Sequence, residues 1–516
     1  MRLRSLRVLL ARPWVVPSGP SIRPLRRRGL LGTNGIPLWI EATNRSARVA
    51  AVLWRRIEGA SRDSARLIPV VILALAPFLI AAGSPKEEAE LGRRFALEAQ
   101  AKLPFIDDVE VVTYVNRIGQ KIVGSLEDRQ FDYRFAVVRD GSVNAFAVPG
   151  GYVYVCGGLL IAASNDDEIA GVLGHEVAHV SAHHLMRQQE KTQLLNYAAL
   201  IGMLASVVNP AIGAGAIAAN QAAQLHYSRE FEQESDFLGA RYMKSAGYDP
   251  RGMLDFFKKL MQQQEATANE IPPYLLSHPL SRVRLTNLEA VLKQRQWDQG
   301  KRNPATLDLQ RVQLIVRARL GSAKDLVEQY SRLAEDHPDD AQLRYLLGLA
   351  FLETGAFNEA KTAFERAKEQ GFKQVDRELG RTYLRQRDLP PARELLSRAV
   401  EIDPNDPVAQ VNLAKVLELM NDNAGALRAY ERAVQLAPSL REAQYGFGML
   451  AGRSGRQGEG FYHLAVASKL EGDYPKALNQ FEKAAPLLDA DKTRQQDAKK
   501  EIEELKEFLG TGFSLR

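Results

Sequence analysis

Six of the eight histidines in this 516-residue chain lie between positions 175 and 278. Two of them stand in His175-Glu176-Val-Ala-His179, within a run whose apolar residues recur at helical spacing. On a helix these two imidazoles lie one turn apart on one face, so both can bind the same metal ion. Glu176 lies close enough to activate a water molecule as a general base. The pattern predicts a helical metal site suited to hydrolysis.

A second predicted helix, over about 228–247, carries carboxylates that complement the histidine pair. Glu232 and Asp236 are four residues apart and therefore share a face. A zinc site of two histidines and one carboxylate leaves the fourth position open, which is the catalytic arrangement. Asp236 is placed to accept a hydrogen bond from the second ring nitrogen of a ligand histidine. For Glu230 and Glu234, a solvated helix face is an equally good interpretation.

The single cysteine limits what kind of metal site is possible. One cysteine excludes an intrachain disulfide framework and a four-cysteine zinc site, so histidine and carboxylate must hold any metal. Cys156 itself follows a predicted strand and is expected to be a small buried hydrophobic residue without a chemical role.

The two motifs, His175-Glu-Val-Ala-His179 and Glu232-Gln-Glu-Ser-Asp236, resemble the HExxH…ExxxD signature of the M48 family of zinc metallopeptidases. Within that family the chain resembles the bacterial periplasmic proteases of outer-membrane assembly. Three further stretches are similar to the family: 114–119, 144–154 and 278–284. The resemblance covers roughly residues 85–290.

This resemblance implies one Zn²⁺ per chain, with His175, His179 and Glu232 as its ligands. It implies that Glu176 is the general base and that Asp236 supports a ligand histidine. It also implies an α+β zinc metallopeptidase domain, mainly helical with a small sheet.

Other histidines near the motif allow several interpretations. His278 lies in a predicted loop with Arg284 six residues later, and either side chain is placed to donate to a transition-state oxyanion. His278 is alternatively a cap on the zinc in a resting state, and a surface or packing histidine is equally compatible with the sequence. Packing is the favoured role for His183 and His184, which follow His179 on the same predicted helix. His226 is expected to support the second helix.

Two segments are expected to border the site. Residues 144–155 are rich in strand formers and broken at Pro149-Gly150-Gly151. By analogy with zinc peptidases of this type, this stretch is the edge that pairs with extended substrate, although Asn144 could simply make a turn. Residues 194–223 are expected to form a helical hairpin over the site. A membrane span there is less favoured because the apolar run is short.

From about residue 307 the chain changes to recurrent helix pairs. Gly348, Gly380 and Ala414 occupy equivalent positions, 32 and 34 residues apart, and the pattern resembles tetratricopeptide repeats. It predicts an all-α solenoid with a final unit after a glycine-rich break at 452–460 and a polar capping helix at 499–508. The concave face of such an array is expected to bind a peptide or protein partner.

The net charge of +6 is unevenly distributed along the chain. Residues 1–66 hold fourteen Arg, two Glu and one Asp, a net of +11, which leaves about −5 on the remainder. A mildly acidic body excludes a broad basic face, so no nucleic-acid partner is expected. The leader is expected to be disordered or absent from the mature protein.

Residues 67–83 are uncharged and mostly apolar, and several arginines precede them. They are expected to be an export signal or a signal-anchor that allows membrane association. A buried core helix and an organellar transit peptide are less favoured alternatives, and translation starting further along the chain would explain the long leader. Ser84-Pro85-Lys-Glu87 has the pattern of a helix N-terminus, where a folded domain is expected to begin.

The sequence thus predicts a leader (1–66), a signal or anchor (67–83), a metallopeptidase domain (84–300) and a repeat domain (307–510). The expected protein is an exported zinc endopeptidase, in the bacterial periplasm or anchored facing it. Its expected substrates are misfolded or stalled envelope proteins, which the repeats help to dock. The alternative is a repeat-bearing chaperone or assembly factor whose peptidase site is mostly silent or capped.

Overall fold

The computed structural model describes residues 85–192, 228–266 and 272–510, all within one compact unit. Among these residues, no helix combines the length and apolar character needed to cross a membrane. Several predictions lie outside the described residues: the leader at 1–66, the apolar segment at 67–83, the hairpin at 194–223 and His226.

The described chain is mainly helical with one small sheet. The N-terminal part contains α1 (Pro85–Lys102), α2 (Val109–Val123), β1 (Arg134–Val138), β2 (Ala145–Val148), β3 (Tyr152–Cys156), α3 (Gly157–Ala162), α4 (Asp166–Ser181), α5 (His184–Thr192), α6 (Arg229–Ser245), α7 (Arg251–Ala266), α8 (Pro273–Ser277) and α9 (Arg282–Gln294). The C-terminal part contains α10 (Leu307–Arg317), α11 (Ala323–Asp336), α12 (Ala341–Thr354), α13 (Phe357–Glu369), α14 (Asp376–Arg385), α15 (Leu389–Ile402), α16 (Pro407–Leu419), α17 (Asn423–Leu436), α18 (Arg441–Arg453), α19 (Gln457–Glu471), α20 (Tyr474–Ala484) and α21 (Lys492–Gly510). The α+β domain followed by helical repeats is confirmed.

The sheet corrects one detail of the predicted edge. Its strand order is β1-β3-β2, with β1 parallel and β2 antiparallel to β3. The predicted break is present as a turn of 3-10 helix at Pro149–Gly151. Because β3 pairs on both sides, only the β2 half of the 144–155 stretch lies at an edge, and β3 is central. The sequence missed this because both strands have the same apolar composition.

Helix α1 packs directly on the turn that joins β2 to β3. Gly150 has a φ of 75°, and a Cβ on Gly92 of α1 would lie 1.8 Å from the carbonyl oxygen of Pro149. Backbone therefore touches backbone at this crossing, and only glycine at position 92 permits it. This contact fixes the first described helix against the strand pair beside the candidate site.

We expect Gly92→Ala to destabilise the protein by about 1–3 kcal/mol, because a methyl group there must push α1 away from the turn. Gly452→Ala is the matched control, since Gly452 is also helical but a Cβ there meets nothing within 4 Å. That control should be neutral or stabilising by up to about 1 kcal/mol through helix propensity. Urea unfolding of both variants measures the difference, and equal midpoints would contradict the close contact.

Helix α10 packs on both parts of the chain. Leu309, Val312 and Ile315 belong to the large core of the N-terminal part, whereas Leu314 packs with the first repeat helices. The Nε2 group of Gln313 also donates a 2.7 Å hydrogen bond to the carbonyl oxygen of Ala163. One helix therefore contributes to both cores and joins them.

The C-terminal helices form the predicted pairs. Small residues lie where two helices cross, and large ones fill the adjacent space, as with Ala360 and Phe364, both fully buried. The predicted glycine-rich break at 452–460 is present but shorter: α18 ends at Arg453 and α19 begins at Gln457, with Gly455 at a positive φ of 87° between them. A Cβ on Gly460 would lie 2.8 Å from the Cα of Gly452, so glycine at position 460 allows the two helices to pack closely. The predicted polar capping helix is α21, which is longer than expected.

A buried ionic cluster also joins the two parts. Glu110, in the first turn of α2, receives Arg311 at 3.0 Å, Arg377 at 3.1 Å and Arg381 at 2.8 Å. Glu110 is only 6% exposed, and Glu378 beside the arginines is 1% exposed. Since α2 packs against α4, these repeat residues are connected to the candidate site through one helix.

Candidate metal centre

Helix α4 carries His175 and His179 and is buried from Asp167 to Val180. Asn165 caps it by accepting a hydrogen bond from the backbone N–H of Glu168, and acidic residues in its first turn suit the positive end of the helix dipole. The Nε2 atoms of His175 and His179 lie 3.0 Å apart, as the one-turn spacing predicts.

Helix α6 brings the carboxylate, and α8 ends at a fourth side chain. Ser228 caps α6 by accepting from the N–H of Phe231. Glu232 Oε1 lies 3.4 Å from His179 Nε2 and 3.0 Å from His278 Nδ1. His278 Nδ1 lies 3.3 Å from His175 Nε2. The four side chains are buried, and their ligand atoms all lie within 4.8 Å of one another.

These separations fit a zinc ion. Tetrahedral zinc with bonds of about 2.0–2.1 Å to its ligands places neighbouring ligand atoms about 3.3 Å apart. The four measured separations, 3.0, 3.0, 3.3 and 3.4 Å, bracket that value. Three imidazoles and one carboxylate are also a donor set that zinc accepts. Two of the four separations involve His278, so its Nδ1 atom is placed as a fourth ligand.

The electrostatics of the cluster favour a cation at its centre. Burial acts to raise the pKa of Glu232, but His278, His175 and His179 outweigh it and hold that pKa well below its ordinary value. Burial also acts to lower the pKa of His175, yet Asp236 and Glu232 raise it to about 9. Burial holds the pKa of His179 well below its usual range. The ionised Glu232 thus attracts positive charge to a buried site.

Glu176 lies beside the cluster and outside its ligand set. Its side chain is 1% exposed, and burial raises its pKa. The backbone N–H of Ala147, on the edge strand β2, donates a hydrogen bond to its carboxylate. Its Oε1 atom lies 3.5 Å from His278 Nε2. A carboxylate of raised pKa next to a metal site is suited to accept and return a proton.

Asp236 and Arg284 form a buried pair behind the ligands. Arg284 donates from Nε and Nη2 to the two carboxylate oxygens of Asp236, at 2.9 and 2.7 Å, and its Nη1 lies 2.6 Å from Glu232 Oε2. Asp236 Oδ1 lies 3.1 Å from His175 Nδ1, where the sequence placed it. Arg284 therefore contacts a ligand carboxylate and the residue that supports a ligand histidine.

An aromatic ring that the sequence did not predict packs against the imidazole of His278. Tyr274 lies one turn earlier in α8 and stacks on the imidazole with ring centroids 4.7 Å apart. Both residues are buried, so His278 is not a surface histidine. A tyrosine four residues before a candidate ligand, on a short helix, was the available signal.

The helix predicted to continue through His183 and His184 is interrupted. α4 ends at Ser181, His183 adopts a left-handed φ of 54°, and α5 begins at His184. His183 Nδ1 lies 2.5 Å from Glu88 of α1, whereas His184 Nδ1 lies 3.1 Å from His179 Nδ1. On an uninterrupted helix, residues five apart point in different directions, so the left-handed residue is what brings His184 onto a ligand.

Two other expectations have clear outcomes. Cys156 is fully buried and unpaired, as expected of a small hydrophobic residue, and burial raises its pKa to about 12. Asn144 is also fully buried, immediately before β2, rather than in an exposed turn.

Comparison with known proteins agrees with this geometry. Residues 111–292 match peptidase family M48, and residues 327–373, 357–407 and 377–441 match the tetratricopeptide repeat. The chain is 32% identical over 269 residues to the putative beta-barrel assembly-enhancing protease of Vibrio cholerae, covering 50% of this chain and 55% of the relative.

Two further relatives match shorter stretches of the chain. The beta-barrel assembly-enhancing protease of Escherichia coli K12 is 28% identical over 247 residues, covering 46% of this chain and 50% of that protein. The mitochondrial metalloendopeptidase OMA1 of Schizosaccharomyces pombe is 29% identical over 183 residues, covering 36% of this chain and 53% of that protein. The chain thus spans about half the length of these relatives. It contains a domain of peptidase family M48, followed by tetratricopeptide repeats.

Proposed function

We propose that this protein is a zinc-dependent endopeptidase of the bacterial cell envelope that hydrolyses misfolded or stalled envelope proteins. The observation that carries the proposal is the spacing of four buried ligand atoms at zinc-like separations with Glu176 alongside. The names of the bacterial relatives support the substrate class, because they describe proteases that enhance assembly of beta-barrels.

The proposed chemistry assigns a role to each residue. A zinc ion held by His175, His179 and Glu232 would act as a Lewis acid on the scissile carbonyl and on the attacking water. Glu176 accepts the proton from that water and passes it to the leaving amine. Arg284 acts as a positioning residue, because its donors are directed at Asp236 and Glu232. The outer edge of β2, which pairs with no strand among the residues the structure describes, is where extended substrate would pair.

We further propose that His278 caps the metal in a resting state. Its Nδ1 atom takes the place of a fourth ligand, with Glu232 at 3.0 Å and His175 at 3.3 Å. Catalysis then requires the imidazole to leave, which opens the position for water and substrate. A displaced imidazole that stays near the site could donate a hydrogen bond to the transition-state oxyanion.

We expect His278→Ala to increase the cleavage of fluorescein-labelled casein by roughly tenfold or more. If the capped state is more stable than the open state by only about 1.4 kcal/mol, about one molecule in ten is open. Initial rates at equal zinc content measure this. Ser277→Ala is the control, since its hydroxyl only donates to the Tyr274 carbonyl. Loss of cleavage in His278→Ala with metal retained would assign the histidine to the transition state instead.

The capped geometry also favours a second candidate function, a repeat-bearing chaperone or assembly factor whose peptidase site is mostly silent. The two candidates differ in a host that lacks the gene and shows an envelope defect. If the protein acts as a protease, Glu176→Gln should fail to restore growth. If it acts as a chaperone, the same variant should restore growth fully. We propose that the repeats dock substrate or an assembly partner, and cross-linking in Glu176→Gln cells should capture uncleaved protein on them.

The envelope location is tested separately from the chemistry. Protein purified from its native host should either begin after the apolar segment 67–83 or require detergent for extraction, as a signal or an anchor demands. A chain that retains residues 1–66 and is released with the cytosol would contradict export.

A further inference from the structure

The two ligand histidines of α4 are supported in different ways. Behind His175 lies a carboxylate, with Asp236 Oδ1 at 3.1 Å from Nδ1. Behind His179 lies a second histidine, with His184 Nδ1 at 3.1 Å from His179 Nδ1. His184 is fully buried, and its ring stacks on Phe231 with centroids 4.5 Å apart and planes at 14°.

The contacts of His184 continue outward to a charged pair. Its Nε2 atom lies 3.2 Å from Glu234 Oε2, and Arg187 Nη1 lies 3.1 Å from the same oxygen. Ser235 Oγ lies 3.2 Å from His184 Nδ1. A row of groups therefore runs from the surface to the ligand: Arg187, Glu234, His184 and His179.

The proton positions in this row are set by the metal site at one end and by the Glu234 carboxylate at the other. If His179 offers Nε2 to a metal, its Nδ1 carries the proton and must donate. His184 Nδ1 then accepts, so the proton of His184 is on Nε2, where the Glu234 carboxylate accepts it. In this arrangement His184 Nδ1 accepts from both His179 and the Ser235 hydroxyl, and one tautomer of each ring satisfies all of these contacts.

We propose that His184, held by Glu234, is a positioning residue that fixes the tautomer and orientation of the metal ligand His179. The inference rests on the proposed metal site and adds a supporting residue to it. A carboxylate supports His175 directly, and a carboxylate supports His179 through one intervening imidazole. Supporting partners of this kind typically change metal affinity by about 10- to 100-fold.

The test measures zinc affinity on the full chain, by competition with a chromophoric chelator after metal removal. His184→Phe keeps an aromatic ring beside Phe231 but removes the acceptor, so we expect its zinc Kd to rise by roughly 10- to 100-fold. His184→Asn restores an acceptor at nearly the position of Nδ1 and should stay within about threefold of wild type. Glu234→Gln should be intermediate, because it keeps an acceptor but loses the charge.

His183→Asn is the matched control, because His183 pairs with Glu88 and asparagine tolerates a left-handed backbone. The Co²⁺-substituted proteins give a second readout: the d–d absorption should change in His184→Phe and stay unchanged in His183→Asn. A purely structural role would lower the melting temperature of the metal-free chain and leave the Kd unchanged, which would overturn the inference. Wild-type protein that binds no zinc would overturn both this inference and the proposed function.

Discussion

Glu176→Gln should lower kcat/KM for an unfolded protein substrate by roughly 10²–10⁴-fold while leaving zinc content unchanged. Glutamine keeps the size of the side chain but cannot accept the proton from water. Glu176 lies outside the ligand set, with Oε1 at 3.5 Å from His278 Nε2, so the metal should remain bound. Cleavage of labelled casein and elemental analysis on the same preparation measure the two effects.

The same experiment in the His278→Ala background is more informative. Removing the proposed cap distinguishes an active site that is blocked from a site that has no catalytic activity. In that background the wild-type glutamate should give measurable cleavage, and Glu176→Gln should abolish it. Glu230→Gln is the control, since Glu230 lies on the exposed part of α6. Cleavage by Glu176→Gln at the rate of its parent would show that another group acts as the base.

Glu110→Ala should destabilise the folded chain by about 3–5 kcal/mol, since it removes a buried carboxylate and leaves the charges of three largely buried arginines only partly paired. Three guanidinium groups, from Arg311, Arg377 and Arg381, converge on Glu110. Because Arg377 also pairs with Glu378 and Asp406, the unpaired charge falls mainly on the other two arginines. The midpoint of urea unfolding measures the loss.

Asp107→Ala is the matched control for this cluster. Asp107 also bridges the two parts of the chain, with its carboxylate 2.9 Å from Arg441, but it is 63% exposed. A solvent-exposed ion pair contributes little, so the control should cost less than about 1 kcal/mol. Similar losses in the two variants would show that burial of the Glu110 cluster is not what stabilises the contact.

Local patterns predicted the parts of the site that lie on single elements. The HExxH spacing places His175 and His179 on one face of a helix, and the four-residue spacing of Glu232 and Asp236 places both on one face of a second helix. The break at Pro149-Gly150-Gly151 divided two strands as expected. These features depend on residues a few positions apart, where periodicity and turn chemistry decide the structure.

The remaining features depend on residues that are distant in sequence or on one unusual backbone angle. Glu110 meets arginines about 200 to 270 positions later, and no local pattern encodes such a contact. The central position of β3 depends on its parallel partner β1, which carries no distinctive signal. His184 reaches His179 only because His183 adopts a positive φ that turns the chain. No residue pattern around position 183 predicts this backbone conformation.

The central claim is that four buried side chains bind one zinc ion, and the zinc content of the purified full-length chain tests it most directly. Protein prepared without added metal should contain one zinc per chain by elemental analysis. Glu232→Ala should lose most of it, because Glu232 contributes the carboxylate that meets both His179 and His278. Wild-type protein without zinc, or a Glu232→Ala variant that keeps a full equivalent, would contradict the account.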